Sequence, residues 1–417
     1  MKKQFKASAK NYVVYKMSKR AVWITCGIIL GLLISLMTVA AFFDYQIDWI
    51  LALHELPNPS SKFVYTNNVL ARIVEILGTG PCILCTIAAL VIFNQNAYKI
   101  SSNVWRQIVR YGTILVAGMW VIYSCFFQFF PLMLVSFEGV QRYGEISPLD
   151  SHGNIKTPTT FWCFIGLGFL FCFLFILPTW LILRRVEKQT MSELLRWAFI
   201  LTSASVICIL LVEIAIKPTL QRERFRFLVS NNVVDPTNMW AVPIWTSQKV
   251  ILADGTISFI PNDTSPYFRP LIIDNDQIIS IGANDPNGGF HNWFALPYTP
   301  YGYGSTGNLP FISEDASKSF PSGHETMAAV GFYSLVSLPF TVRRFNTKKI
   351  RCILFIVAVI GAGLVAFCRL LAGAHYLSDV TIGSLIAIGL LIIFHCQYCY
   401  GSKHLDNWTG VKINPNH

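Results

Sequence analysis

Long apolar runs separated by short polar connections dominate the chain. They occur at about 22–43, 69–93, 111–136, 161–183, 197–216, 324–342, 352–369 and 377–398, each near the ~20 residues with which an α-helix crosses the hydrocarbon layer. The pattern predicts an all-α polytopic membrane protein with about eight transmembrane helices. The first run follows a basic stretch but exceeds the roughly 7–15 apolar residues of a signal peptide and lacks a convincing cleavage site. It reads as a retained span.

The charges between the runs set an orientation, because lysine and arginine in short loops accumulate on the cytoplasmic side. Lys2, Lys3, Lys6, Lys10, Lys16, Lys19 and Arg20 precede the first run, and Lys99, Arg106 and Arg110 follow the second. Arg184, Arg185, Lys188 and Arg196 follow the fourth, and Arg343, Arg344, Lys348, Lys349 and Arg351 follow the sixth. The alternate loops are poorer in cations and carry Asp44, Asp48 and Glu55, or Glu138, Glu145 and Asp150. Both termini are therefore expected inside the cell, in a multi-pass protein of the cell membrane.

Composition agrees: 53% of the residues are hydrophobic and 13% charged, with mean hydropathy +0.49, which excludes an ordinary soluble domain. The net charge of +11 sits mostly in the inner loops, where it serves orientation and attraction to anionic lipid. It gives no sign of a nucleic-acid partner. The expected organisation is a basic cytoplasmic N-terminus (1–21), N-terminal transmembrane helices (22–196), a core (197–399) and a cytoplasmic tail (400–417).

Within that core an extracytoplasmic insertion, 226–318, is long for a connection without structure of its own. Val250–Leu252 and Ile257–Ile260 flank Asp254-Gly255, and Leu271–Ile273 and Ile278–Ile281 flank Asp274-Asn275-Asp276. These are hairpin signals and predict a small β-rich cap. An aromatic stretch follows, with Phe290, Trp293, Phe294, Tyr298, Tyr301 and Tyr303, suited either to anchoring at the headgroup interface or to gating a lipid. Asn262-Asp263-Thr264 is a glycosylation sequon. Glu75, alone in an apolar run, is either a packing contact or a site residue, and Pro131 and Pro178 predict kinks.

The candidate chemistry lies at the outer ends of the later runs. Arg369-Leu-Leu-Ala-Gly-Ala-His-Tyr-Leu-Ser-Asp379 sets a cation, a nucleophile and a carboxylate in order. His375 and Asp379 are four residues apart, so on a helix the carboxylate could bind one ring nitrogen and leave the other free. Phe320-Pro-Ser-Gly-His324 opens another apolar run, and Lys217 and Arg224 close a third. Three cations, Lys217, Arg224 and Arg369, can hold the oxygens of a phosphate ester. Ser322 and the Gly323 amide add donors at a helix N-terminus, although Ser322 and Glu325 also fit a capping box. Glu213, four residues before Lys217, either positions its ammonium or forms an ordinary interfacial pair.

The order and spacing Lys-x6-Arg, Pro-Ser-Gly-His and Arg-x5-His-x3-Asp resemble the signature of the type 2 phosphatidic acid phosphatase superfamily, in its membrane branch. The likeness covers about Glu213 to Cys399. Two positions depart from it: Phe225 replaces the usual proline, which should change loop stiffness only, and Cys368 replaces a serine, removing a hydroxyl contact to phosphate. The resemblance implies that His375, oriented by Asp379, is the nucleophile of a phosphohistidine mechanism, and that His324 protonates the leaving oxygen and then activates water. The expected substrate is a lipid phosphate or isoprenoid diphosphate at the outer face. A phosphotransferase with the same intermediate and a non-catalytic lipid-binding or transport protein are the alternatives. Acidic residues near the motifs are too few for a two-metal site; no metal and no cofactor is expected. The Cys82/Cys85 and Cys396/Cys399 pairs sit within or at the end of apolar runs and make no tetrahedral set.

Overall fold

A computed structural model describes residues 13–16, 19–55, 68–124, 158–217, 222, 224–230, 319–400 and 405–406, with the short stretches 236–237, 239–240, 247–251, 257–261, 273–274, 277–278 and 411–414. The principal helices are α1 (Lys19–Ala52), α2 (Val69–Leu77), α3 (Gly80–Asn96), α4 (Asn103–Ser124), α5 (Pro158–Arg184) and α6 (Lys188–Ile209). After them come α7 (Phe225–Ser230), α8 (Gly323–Thr341), α9 (Lys348–Leu371) and α10 (Leu377–Tyr400).

Five helices among the described residues are long and apolar enough to span a bilayer: Val22–Ala52, Gly80–Lys99, Lys188–Ile216, Lys348–Leu371 and Leu377–Cys399. Gly168–Arg184 is apolar but shorter. The run at 69–93 is divided, since α2 ends at Leu77, capped by Gly78, and α3 begins at Gly80 with a proline in its first turn. Large apolar side chains such as Ile214, Ile360 and Phe173 point outward, as they should where lipid rather than water surrounds the helices.

The first run ends at Phe43 in the hydropathy pattern, but its helix does not. Phe43 leaves helical geometry, with φ −130° and ψ 17°, and the helix resumes beyond it. Asp44 and Asp48, expected in an outer loop, are instead part of α1 and fully buried. Both carboxylates thus belong to the helix and its packing, not to a connecting loop.

The core packs α3, α6, α8 and α10 with many small residues. Ala89, Ala198, Ala204, Ala329 and Ala387 belong to one buried cluster, the close-approach composition of membrane helix interfaces. Gly331 is required there, because a Cβ would lie 2.5 Å from the Cys82 backbone nitrogen. Trp197 Nε1 donates to the Ser334 carbonyl at 2.9 Å, tying α6 to α8.

At the far end of the bundle, Arg196 pairs with Asp406 and donates to the Tyr398 carbonyl, while Arg343 pairs with Glu193. Val13–Lys16 and Val411–Asn414 form a two-stranded parallel ribbon, so segments near the two ends of the chain lie side by side. In the insertion, Ser247–Ile251 pairs antiparallel with Ile257–Pro261, and Ile273–Asp274 with Gln277–Ile278. The aromatic stretch 290–303, the Asn262 sequon, Pro131 and the acids Glu138, Glu145 and Asp150 lie outside the described residues, as does the side chain of Glu75.

Candidate functional site

Helix α9 ends at Leu371, and Gly373 takes a positive φ of 56°, the left-handed geometry that glycine adopts without steric cost. Its N–H donates to the Leu370 carbonyl and the Ala374 N–H to the Arg369 carbonyl. The chain thus reverses within five residues. Arg369, in the last turn of α9, and His375, just before α10, are both 1% exposed. The Gly373 carbonyl accepts from the Arg226 N–H at 2.8 Å, which docks α7 and its neighbour Arg224 against this turn.

His375 Nδ1 lies 2.6 Å from the Ser319 carbonyl oxygen. A carbonyl only accepts, so Nδ1 carries the proton and Nε2 presents its lone pair. This corrects the expectation that Asp379 binds the imidazole directly. Its nearer oxygen is 3.8 Å from Nδ1, and its acceptor capacity goes to Arg222 Nη1 at 2.6 Å, the Tyr376 N–H at 2.9 Å and the Ser319 hydroxyl. Ser319 therefore mediates, since its hydroxyl donates to the carboxylate while its carbonyl holds the ring.

Burial, followed by the charges of Arg369, Arg224, Lys217 and His324, holds His375 well below the ordinary histidine range. All three motifs thus converge on this ring. Lys217, Arg224 and Arg369 are each less than a tenth exposed. His324 is half-buried, and its ring edge packs by Gly78, where the second apolar run is broken.

Ser322 caps α8, accepting from the Glu325 N–H at 3.3 Å; its own proton remains available to an anion. The capping box is only half made. The Ser322 N–H donates to the Asp379 carbonyl at 3.1 Å, and the Glu325 carboxyl turns away to accept from the Ser384 hydroxyl at 2.6 Å.

The segment that continues α6, Leu210–Ile216, is π-helical, a widening common at functional sites. There Lys217 Nζ meets both Glu213 oxygens, at 2.8 and 3.1 Å. The pair abuts Gly323, where a Cβ would lie 2.1 Å from Glu213 Oε1 and 2.7 Å from Lys217 Nζ. Both are ends of flexible side chains, so Gly323→Ala should leave folding nearly intact but displace the ammonium. We expect kcat/KM to fall about 10²-fold, the scale for misplacing one charged donor, with the unfolding midpoint little changed.

Four residues at the site were not anticipated. Arg222 is fully buried and joins Asp379 to Asp44, which its Nη2 reaches at 2.8 Å. Ser378 completes this network, its N–H donating to Asp44 Oδ1 at 2.9 Å and its hydroxyl accepting from Arg222 at 2.7 Å. Ser319 is the fourth. An acid next to an apolar run is the signal that could have flagged Asp44.

The two departures from the motif pattern have structural partners. Phe225 opens α7 and is fully buried between Tyr45 and Tyr376, at ring-centroid distances of 5.6 and 6.5 Å, so it anchors α1 to the site rather than changing loop stiffness alone. Cys368 packs in an apolar cluster with Ala71, Val74, Ala328 and Val365.

Among the described residues no group of three or more His, Cys, Asp or Glu side chains could hold a metal ion. No curated protein and no solved structure matches the chain. Residues 284–402, which contain His324, Arg369, His375 and Asp379 but not Lys217 and Arg224, match the family model of the PAP2 superfamily.

Proposed function

We propose that this protein is an integral-membrane phosphatase that hydrolyses a lipid phosphate or diphosphate monoester at the outer face through a phosphohistidine. The match of residues 284–402 to the PAP2 superfamily supports phosphoric ester hydrolysis or a related activity. The observation that carries the finer reading is His375 itself: its Nδ1 proton is held by the Ser319 carbonyl, which leaves Nε2 as the nucleophilic nitrogen, and burial followed by the charges of Arg369, Arg224, Lys217 and His324 keeps the ring neutral.

In this mechanism Lys217, Arg224 and Arg369 neutralise the non-bridging oxygens, with Ser322 and the Gly323 N–H at the helix N-terminus. Nε2 attacks phosphorus as the bond to the leaving oxygen breaks, and His324 gives that oxygen a proton. His324 then takes a proton from water, whose oxygen attacks phosphorus, and the P–N bond breaks to release phosphate and neutral His375. Ser319, itself held by Asp379, keeps the imidazole in place throughout.

The placement of the site at the outer face is supported by the loop charges and by the partners of the opposite end. Arg196, Arg343 and the ribbon of Val13–Lys16 with Val411–Asn414 belong to the lysine- and arginine-rich segments that the charge rule assigns to the cytoplasmic side.

The test is phosphate release by the purified full-length protein from a panel of lipid phosphates with EDTA present. Release that persists in EDTA supports the reading; activity that vanishes and returns with Mg²⁺ or Zn²⁺ contradicts it. The pH profile gives a second check. Neutral imidazole is the attacking form, and its pKa is lowered, so it stays neutral as pH falls through the usual histidine value of ~6.5. The limb of kcat/KM assigned to His375 should therefore lie well to the acid side of that value.

A further inference from the structure

Two carboxylates of the site are held in opposite ways. Asp379 is fully buried and accepts from Arg222, the Tyr376 N–H and the Ser319 hydroxyl. Glu213 accepts only from Lys217 among the described residues, at 2.8 and 3.1 Å. Its side chain is 46% exposed, against 10% for that of Lys217. A side chain that positions a reacting group is itself locked by further contacts, and Glu213 has no second anchor among the described residues. The buried ammonium is the fixed member of this pair, and the carboxylate is the one with room to leave.

The resting place of that carboxylate is an anion's place. The space that a Cβ on Gly323 would take is bounded by Glu213 Oε1 at 2.1 Å and Lys217 Nζ at 2.7 Å, so both groups lie against the first residue of α8. Unpaired N–H groups and the helix dipole favour negative charge at that end, and the charge of Lys217 acts on the His375 ring. With both carboxylate oxygens on Nζ, at most one of the three ammonium N–H groups is left for a ligand. Glu213 therefore puts its oxygens on the donors that the phosphatase mechanism gives to a phosphoryl oxygen.

We propose that Glu213 is a resident stand-in for one phosphoryl oxygen: its carboxylate holds Lys217 before substrate binds, and a phosphate monoester displaces it. The inference rests on the phosphatase reading of this site, and it makes Glu213 a specificity-determining residue. A monoester carries a charge of about −1.5 to −2 at neutral pH and three terminal oxygens, enough to engage Arg224, Arg369 and Lys217 together. A diester, the phosphate of most membrane lipids, has a single charge and two terminal oxygens, which the two arginines satisfy. The Lys217–Glu213 pair then stays closed, and no exposed ammonium draws abundant diesters into the site.

The test uses the purified full-length protein in detergent. A water-soluble carbodiimide should join Glu213 to Lys217 as an amide, with loss of water, because the two groups are already in contact; mass spectrometry of the peptide containing both reads it. Orthovanadate, a phosphate mimic, should suppress this cross-link and dibutyl phosphate should not, with carboxylates elsewhere in the chain as the control for quenching of the reagent. Calorimetry should show Glu213→Gln binding inorganic phosphate about fivefold more tightly, the scale of an exposed ion pair removed from competition. A positioning partner gives the opposite sign, with weaker binding and a cross-link that survives orthovanadate.

No cross-link in the ligand-free protein, a cross-link indifferent to orthovanadate, or phosphate binding that is unchanged or weaker in Glu213→Gln overturns the proposal. Suppression by dibutyl phosphate as well overturns the selectivity. Hydrolysis of an aryl phosphate separates the two readings. Tighter phosphate binding and a suppressed cross-link without hydrolysis overturn the phosphatase reading and leave the role of Glu213 standing; hydrolysis with a persistent cross-link does the reverse.

Discussion

Replacing His375 by alanine should lower turnover of an aryl phosphate on the order of 10⁴-fold or more, the scale on which enzymes respond to loss of a nucleophile. The ring is placed for attack by a bond that alanine removes entirely, the 2.6 Å contact of Nδ1 with the Ser319 carbonyl. His324→Ala should depend on the leaving group. With an alkyl phosphate it loses the ~10²–10⁴-fold contributed by a general acid. With an activated aryl phosphate, whose leaving group needs little protonation, the first transfer should be nearly normal and the second step slow. A burst of phenol equal to the enzyme concentration, followed by a slow steady state, is the expected trace. Equal losses for the two leaving groups would remove His324 from the acid role.

Arg222→Met should destabilise the protein by about 3–5 kcal/mol, because it leaves two fully buried carboxylates, Asp44 and Asp379, without their common cation. Arg222 also stacks on the Tyr376 ring, at 4.0 Å from guanidinium carbon to centroid, and its carbonyl accepts from the Ser319 N–H at 2.9 Å. Activity should therefore fall with stability, through the looser Ser319 and Asp379 that orient His375. Adding Asp44→Leu to Arg222→Met should recover part of the loss, since removing the second charge is less harmful than stranding it. Unfolding midpoints in detergent measure both. A loss below about 1 kcal/mol in the single variant would show that the buried network does not hold the site together.

The sequence made the helical class and the three motifs legible because each depends on local chemistry. Apolar runs of bilayer length announce helices, and Lys217, Arg224, His324, Arg369 and His375 stand out by residue type and spacing. Helix continuity was less legible. Hydropathy alone ended the first helix at Phe43, whereas the chain continues through a kink with buried Asp44 and Asp48, and it joined across Gly78 two helices that the structure separates. Long-range partners were not legible at all. Nothing in the spacing of His375 and Asp379 says that a carbonyl from residue 319 will take the ring nitrogen, or that Arg222 will claim the carboxylate for a contact with a helix 178 residues earlier in the chain.

The most direct measurement is the location of the phosphoryl group in His324→Ala after incubation with an activated aryl phosphate. Rapid alkaline quenching, which preserves a phosphoramidate, followed by digestion and mass spectrometry of the peptide containing residues 369–379, reads it out. We predict one acid-labile phosphoryl group on His375, absent from His375→Ala and from the double variant. Phosphoryl transfer to another residue, or continued turnover by His375→Ala at the rate of the unmodified protein, would contradict the assignment of His375 as nucleophile.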